Sequence, residues 1–196
     1  MKKIIFLITL TAFVFYSCKN DKNPADEILT EDELIDRELA SGKKNNEAIL
    51  GFSFGMTRSD VLNMLKELEQ KGKLRKDDDR RYFYDMEIGD SGDQLPAYFD
   101  LSYSKPDDQL YCITTTVRTD RDHVLKTLYE TISSMYEKKF GVPQINKPND
   151  IITDSKPIPV WINANRKIEI EPIDDAVKIH YLNLRVSRVV PVNDDL

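Results

Sequence analysis

Two histidines and two cysteines are this chain's whole stock of the side chains that most often supply acid–base, nucleophilic or soft-metal chemistry near neutral pH. His123 falls in the opening turn of an expected helix, and His180 points opposite Ile179 and Tyr181 on an expected strand, so both read as surface residues. A histidine-based triad needs a nucleophile beside one of them, yet no Gly-x-Ser-x-Gly elbow occurs. Cys112 lies between Tyr111 and Ile113, where a thiol serves as a small buried hydrophobe. The carboxylate runs Asp77-Asp78-Asp79 and Asp90-Ser91-Gly92-Asp93 lack the closing glutamate of a full calcium loop, and histidines on separate elements give no metal-ligand spacing. The expectation is a protein without catalytic residues, metal or cofactor.

The aromatic residues point elsewhere. Trp161 projects away from the side of its strand that carries Val160 and Ile162, and Tyr98 and Phe83 fall off the main apolar faces of theirs. If helices cover one side of a sheet, these three mark its other side as a partly apolar surface for a protein or glycan. The alternative is that a loop or the N-terminal segment covers them.

Hydrophobic periodicity supplies the elements that hold these residues. Thr57-Arg58-Ser59-Asp60 makes a capping box, and Val61, Met64, Leu65 and Leu68 follow at helical spacing until Gly72. Period-2 runs then give three strands: Tyr82 to Ile88, Ala97 to Tyr103 and Tyr111 to Val117, separated by Gly-, Pro- and Asp-bearing loops that suit antiparallel hairpins. The order then recurs. Val124-Leu125-Lys126-Thr127-Leu128-Tyr129-Glu130 echoes Val61-Leu62-Asn63-Met64-Leu65-Lys66-Glu67, and this second helix carries Leu125, Leu128, Ile132, Met135 and Tyr136 on one stripe up to a glycine cap at Gly141. Ile158 to Ile162, Ile168 to Ile170 and Val177 to Tyr181 form three more strands, with a bulge or strand end expected between Tyr181 and Leu182, where the apolar parity switches.

The fold class expected is α+β: tandem αβββ repeats, about 51–118 and 119–186, with two main helices packed on one face of a mostly antiparallel sheet. The single domain is expected over 47–190, with a loose tail at 191–196. Gly55-Met56-Thr57 with Val61 resembles the helix start of the small outer-membrane assembly lipoproteins and the β-lactamase-inhibitor-like repeats, and that resemblance implies a binding or inhibitory role. In those families Gly-x-Pro follows the helix closely. Here Gly141-Val142-Pro143 follows the second helix, and Gly72 has no such proline.

The N-terminus reads as an address. Lys2 and Lys3 precede an apolar run from Ile4 to Phe15, too short for the ~20 residues of a membrane helix and shaped as a signal peptide over 1–17. Ser17-Cys18 resembles the cleavage site of lipoprotein signals, with Phe15 and Tyr16 matching the relaxed version of Bacteroidetes lipoproteins. The resemblance implies a lipid on Cys18 and attachment to the cell envelope, at the outer membrane, with either leaflet open. Residues 18–46 then form a tether, and Thr30-Glu31-Asp32-Glu33 caps a short helix within it, expected to stay solvated.

Removal of residues 1–17 takes two of the 28 basic residues, which leaves 26 against 34 acidic ones, a formal charge near −8. Nucleic acid is thereby repelled as a partner, and no disulfide is expected because lipidation of Cys18 leaves Cys112 alone. The expected function is that of a non-enzymatic envelope lipoprotein binding a protein or glycan. The alternative is a periplasmic immunity or enzyme-inhibitor protein.

Overall fold

The computed structural model describes residues 29–90, 92–105, 107–119 and 122–187, the side chains of Asp122 and His123 excepted. The expected signal, Cys18 and the tail at 191–196 lie outside the described residues. In chain order the elements are α1 (Glu31–Ala40), α2 (Arg58–Gln70), β1 (Arg75–Lys76), β2 (Tyr82–Ile88), β3 (Asp93–Tyr103) and β4 (Leu110–Arg118). They continue with α3 (Asp122–Phe140), β5 (Ile145–Lys147), β6 (Ile158–Asn163), β7 (Arg166–Ile173), β8 (Ala176–Asn183) and α4 (Leu184–Ser187). The class is α+β. No helix among the described residues is long and apolar enough to cross a membrane.

Among the described residues, eight strands join one antiparallel sheet in the order β1-β2-β3-β4-β8-β7-β6-β5. Each half is a meander, and the two meet where β4 pairs with β8, from Cys112–Leu182 to Arg118–Ala176. Each half has four strands rather than the expected three. The additional ones, Arg75–Lys76 and Ile145–Lys147, are short pieces at the two outer edges with too few apolar residues to register as strands.

Local chemistry explains the helix ends. Thr57 accepts from the Asp60 N–H while the Asp60 carboxylate accepts from Thr57, which closes a capping box on α2; Thr30 and Glu33 do the same for α1. At the end of α3, Gly141 adopts φ +82° and donates its N–H to the Glu137 carbonyl, the left-handed cap that glycine permits without strain.

Pleat parity distributes the core. Val61, Leu65 and Leu68 of α2 and Leu125, Leu128, Tyr129, Ile132 and Tyr136 of α3 share one cluster with Tyr84, Met86, Ala97, Phe99, Ile113, Val117, Ile168, Ile170, Val177, Ile179 and Tyr181. These strand residues alternate, so they belong to one side of the sheet.

The second cluster is a correction. Leu34 and Ile35 of α1 pack with Val160, Ile162 and Leu184, residues of opposite parity. The helix expected to be a solvated part of the tether instead covers the other side of the β5–β7 half, and the domain therefore starts well before residue 47. Ala164 N–H donates to Glu38 at 3.0 Å, and Asn45 N–H donates to the Asn165 side chain. At its N-terminal turn Glu31 meets Lys147 (3.0 Å) and Lys167 (2.6 Å), both of which also bind Glu169, at 2.9 and 2.5 Å.

The same coverage explains the parity switch near residue 182. β8 does not bulge there; it ends just beyond, at Asn183, where α4 begins, and Leu182 is apolar because it packs against the α1 cluster. A register shift falls instead between Ser102 and Tyr103, in β3.

Candidate functional site

With α1 seated on β5–β7, the side of the sheet away from α2 and α3 is covered over one half and, among the described residues, open over the other. The open half is formed by β2, β3 and β4 and the near edge of β8. Phe83 and Tyr98 pair directly across β2 and β3, and the register carries this row on through Thr116 of β4 and Lys178 of β8 to Glu171 of β7.

The two aromatic rings lie 5.5 Å apart, tilted by 42°. Cations sit on both: the Arg75 guanidinium is 5.0 Å from the Phe83 ring centre and that of Arg81 is 4.9 Å from Tyr98. Carboxylates hold the guanidinium groups in turn. Arg75 pairs with Asp85, and Arg81 binds Asp77 at 2.7 Å, which consumes one of the acids of the 77–79 run. The result is a half-buried, laterally braced aromatic pair on a rigid sheet. Such rings lose little conformational freedom when a partner lands on them.

Trp161 does not belong to this face. It pairs with Ile168 across β6 and β7, is only 4% exposed, and lies among Tyr136 and Phe140 under α3, with its indole N–H donated to the Gly141 carbonyl at 2.8 Å. Trp161 does face away from Val160 and Ile162, but the side it points to is the helical one, because the Val160–Ile162 side of β6 faces α1 instead. The candidate face therefore keeps Tyr98 and Phe83 and loses Trp161.

Next to the aromatic pair the structure assembles a hydrogen-bonded chain that spacing alone does not reveal. The Thr114 hydroxyl lies 3.1 Å from His180 Nδ1, His180 Nε2 lies 2.9 Å from Glu171 Oε1, and Cys112 Sγ lies 3.9 Å from the Thr114 hydroxyl. The residues are 66 and 9 positions apart and meet only through the β4–β8 and β7–β8 registers. The hydrogen bond from His180, and its charge, hold the Glu171 carboxyl below its ordinary value in spite of burial. Burial pushes the Cys112 thiol up.

A hydroxyl–imidazole–carboxylate chain resembles a nucleophile with its base and orienting acid. Thr114, however, sits mid-strand between β3 and β8, paired with Asp100 and His180. The backbone N–H groups beside it serve the ladder, so none is aimed at an oxyanion. His123 is in the first turn of α3, and its side chain lies outside the described residues. Among the described residues no three His, Cys, Asp or Glu side chains gather as metal ligands. Asp90 instead faces Lys138 at 3.3 Å.

No family model, no curated protein and no solved structure matches this chain.

Proposed function

We propose that this protein is a non-enzymatic lipoprotein of the cell envelope, held at the outer membrane through Cys18, whose open half-sheet binds a partner protein or glycan. The observation that carries the reading is the asymmetry of the sheet. α1 covers the β5–β7 half, whereas the β2–β4 half presents the Phe83–Tyr98 pair, braced by Arg75 and Arg81. A braced aromatic pair on an uncovered face is the arrangement expected of an interface anchor. The apolar run before Ser17-Cys18 supports the anchor.

The architecture follows from a tandem duplication in this reading. The mirrored order 1-2-3-4-8-7-6-5 is what two copies of a helix-plus-meander unit produce when joined through their last strands, with both main helices on one side. Among the described residues only one copy has an additional helix over its outer side, and that difference turns the other copy into the binding half.

The test is capture from detergent-solubilised envelope by the full chain and by the double variant Phe83→Ala, Tyr98→Ala. The reading predicts a partner retained by the wild type and lost by the variant. Equal capture by both removes the open face as the site. An enzyme as the captured partner, inactive in the complex, gives the inhibitory form of the same function.

A further inference from the structure

On the side of the sheet away from α2 and α3, the two halves match position by position. The β4–β8 ladder is centred on Thr115–Ile179, and a half-turn about the sheet normal at that point exchanges Thr116 with His180 and keeps each on its own side of the sheet. Thr116 pairs with Tyr98 and His180 with Glu169, so Tyr98 and Glu169 correspond. Tyr98 pairs with Phe83 and Glu169 with Val160, and these pair in turn with Arg75 and Ile145. Asp85–Pro96 falls on Ile162–Lys167 by the same rule. The match therefore holds in register from the centre of the sheet to both of its edges.

On one half these positions show what fills them. Val160 and Ile162 are buried against Leu34 and Ile35 of α1, with Ile145 packed beside them, and Glu169 shares Lys147 and Lys167 with Glu31 in the first turn of the helix. On the other half Phe83 holds the place of Val160, Asp85 that of Ile162, Arg75 that of Ile145 and Tyr98 that of Glu169. Among the described residues no element fills the place above them, and this face is continuous with the one on which α1 sits. The main-chain groups of β3 and β4 are spent on the neighbouring strands, so a partner on the face cannot add as a strand there. A helix can, because it buries an apolar stripe against alternate side chains, as α1 does over its ten residues.

Where the halves differ, they set the chemistry of the helix. The Asp77 N–H donates to the Arg81 carbonyl and carries the β1–β2 register one residue further, which puts Asp77 at the position of Lys147. Pro96 stands at that of Lys167. The two cations that hold Glu31 are therefore replaced by an aspartate and a proline, so the acidic first turn of α1 has nothing to bind here and the α1 of a second copy is not the occupant. Arg75 and Arg81, beside the rings, are already paired with Asp85 and Asp77. With a formal net charge of −6 on the whole chain, the field outside the face favours a partner whose polar side is basic.

We propose that a basic amphipathic helix of a partner protein lies across Phe83 and Tyr98, in the place on the open half that α1 takes on the other. This rests on the reading of the open half-sheet as a binding face and names the partner's element and chemistry.

The test is fluorescence anisotropy of the full chain with three labelled peptides of roughly 14 residues, long enough for a marginal helix. One has equal numbers of leucine and lysine at helical period, one has the same composition with the two alternating, and one has the helical pattern with glutamate in place of lysine. The helical basic peptide is expected to bind, and the other two at least tenfold more weakly. Phe83→Ala, Tyr98→Ala, whose melting temperature is checked in parallel, is expected to lose at least tenfold. No binding of the helical basic peptide, equal binding of the alternating or the acidic one, or undiminished binding by the variant overturns the proposal. Benzoylphenylalanine placed at Tyr98 of the purified chain that crosslinks to residues 188–196, or to a second copy, makes that segment or that copy the occupant and overturns it as well. Envelope capture separates the two claims. A partner lost by Phe83→Ala, Tyr98→Ala but not displaced by excess helical basic peptide overturns the helix and leaves the face, and a partner kept by the variant overturns both.

Discussion

Phe83 and Tyr98 stand opposite each other across β2 and β3 with ring centres 5.5 Å apart, and each carries a guanidinium on its ring, from Arg75 and Arg81. The pair faces away from the core that α2 and α3 make with the sheet. Its energy in the free protein is that of a half-exposed cross-strand contact, on the order of 1 kcal/mol or less. Phe83→Ala and Tyr98→Ala should accordingly shift urea midpoints only slightly while abolishing capture of the partner. A large stability loss in either variant places the pair in the core instead.

Trp161 should behave in the opposite way. It is 4% exposed and its indole N–H is bonded to Gly141. Trp161→Ala should cost about 3–5 kcal/mol in chemical denaturation, since it leaves a cavity under α3. Partner binding at the open half should persist in the fraction that stays folded.

The different fates of Trp161 and Tyr98 mark how far the sequence is legible. The capped helices and the six longer strands are visible in it, because in all of these strands but β6 one side is more apolar than the other. β6 has no such contrast: Pro159, Val160, Trp161 and Ile162 are all buried, since α3 covers one side and α1 the other. Parity then tells that Trp161 and Val160 face apart but not which of them faces α3. α1 itself is legible as a helix from Thr30 and Glu33, and its docking is not, because only Leu34 and Ile35 are buried, Leu39 packs beside them half-buried, and the ion pairs of Glu31 lie far off in sequence. The chain from Cys112 to Glu171 depends on β7 and β8 lying beside β4, a pairing that local pattern does not encode.

Acid should release α1 before it unfolds the sheet. Burial alone would raise the Glu169 and Glu31 carboxyls, but the hydrogen bonds and charges of Lys167 and Lys147 outweigh it and hold both below the ordinary value of 4.5. As pH falls, the unfolded chain takes up these protons first. The stabilisation is therefore fully present above pH 4.5 and is lost as pH drops through the lowered folded values. Hydrogen exchange should show protection of residues 31–40 falling in that window while β3 and β4 stay protected. Glu169→Gln should weaken that protection at neutral pH by about 1–3 kcal/mol and flatten its pH dependence. Loss of protection across the whole sheet at the same pH contradicts a separable α1.

The two cysteines should separate by chemistry. Alkyne-palmitate labelling of growing cells should mark the wild type and not Cys18→Ala, while Cys112→Ala keeps the label. Because burial raises the Cys112 thiol, its alkylation by iodoacetamide at neutral pH should be slow and should accelerate sharply in urea. Labelling that survives Cys18→Ala removes the anchor from the account.

The most direct measurement is photo-crosslinking in intact cells, with benzoylphenylalanine placed singly at Tyr98 on the open half-sheet and at Ile151, which is 56% exposed and lies outside that face. The account predicts a discrete adduct from position 98 and none from position 151. An adduct from position 151 with none from position 98, or the same adduct from both, contradicts a partner bound at the open half of the sheet.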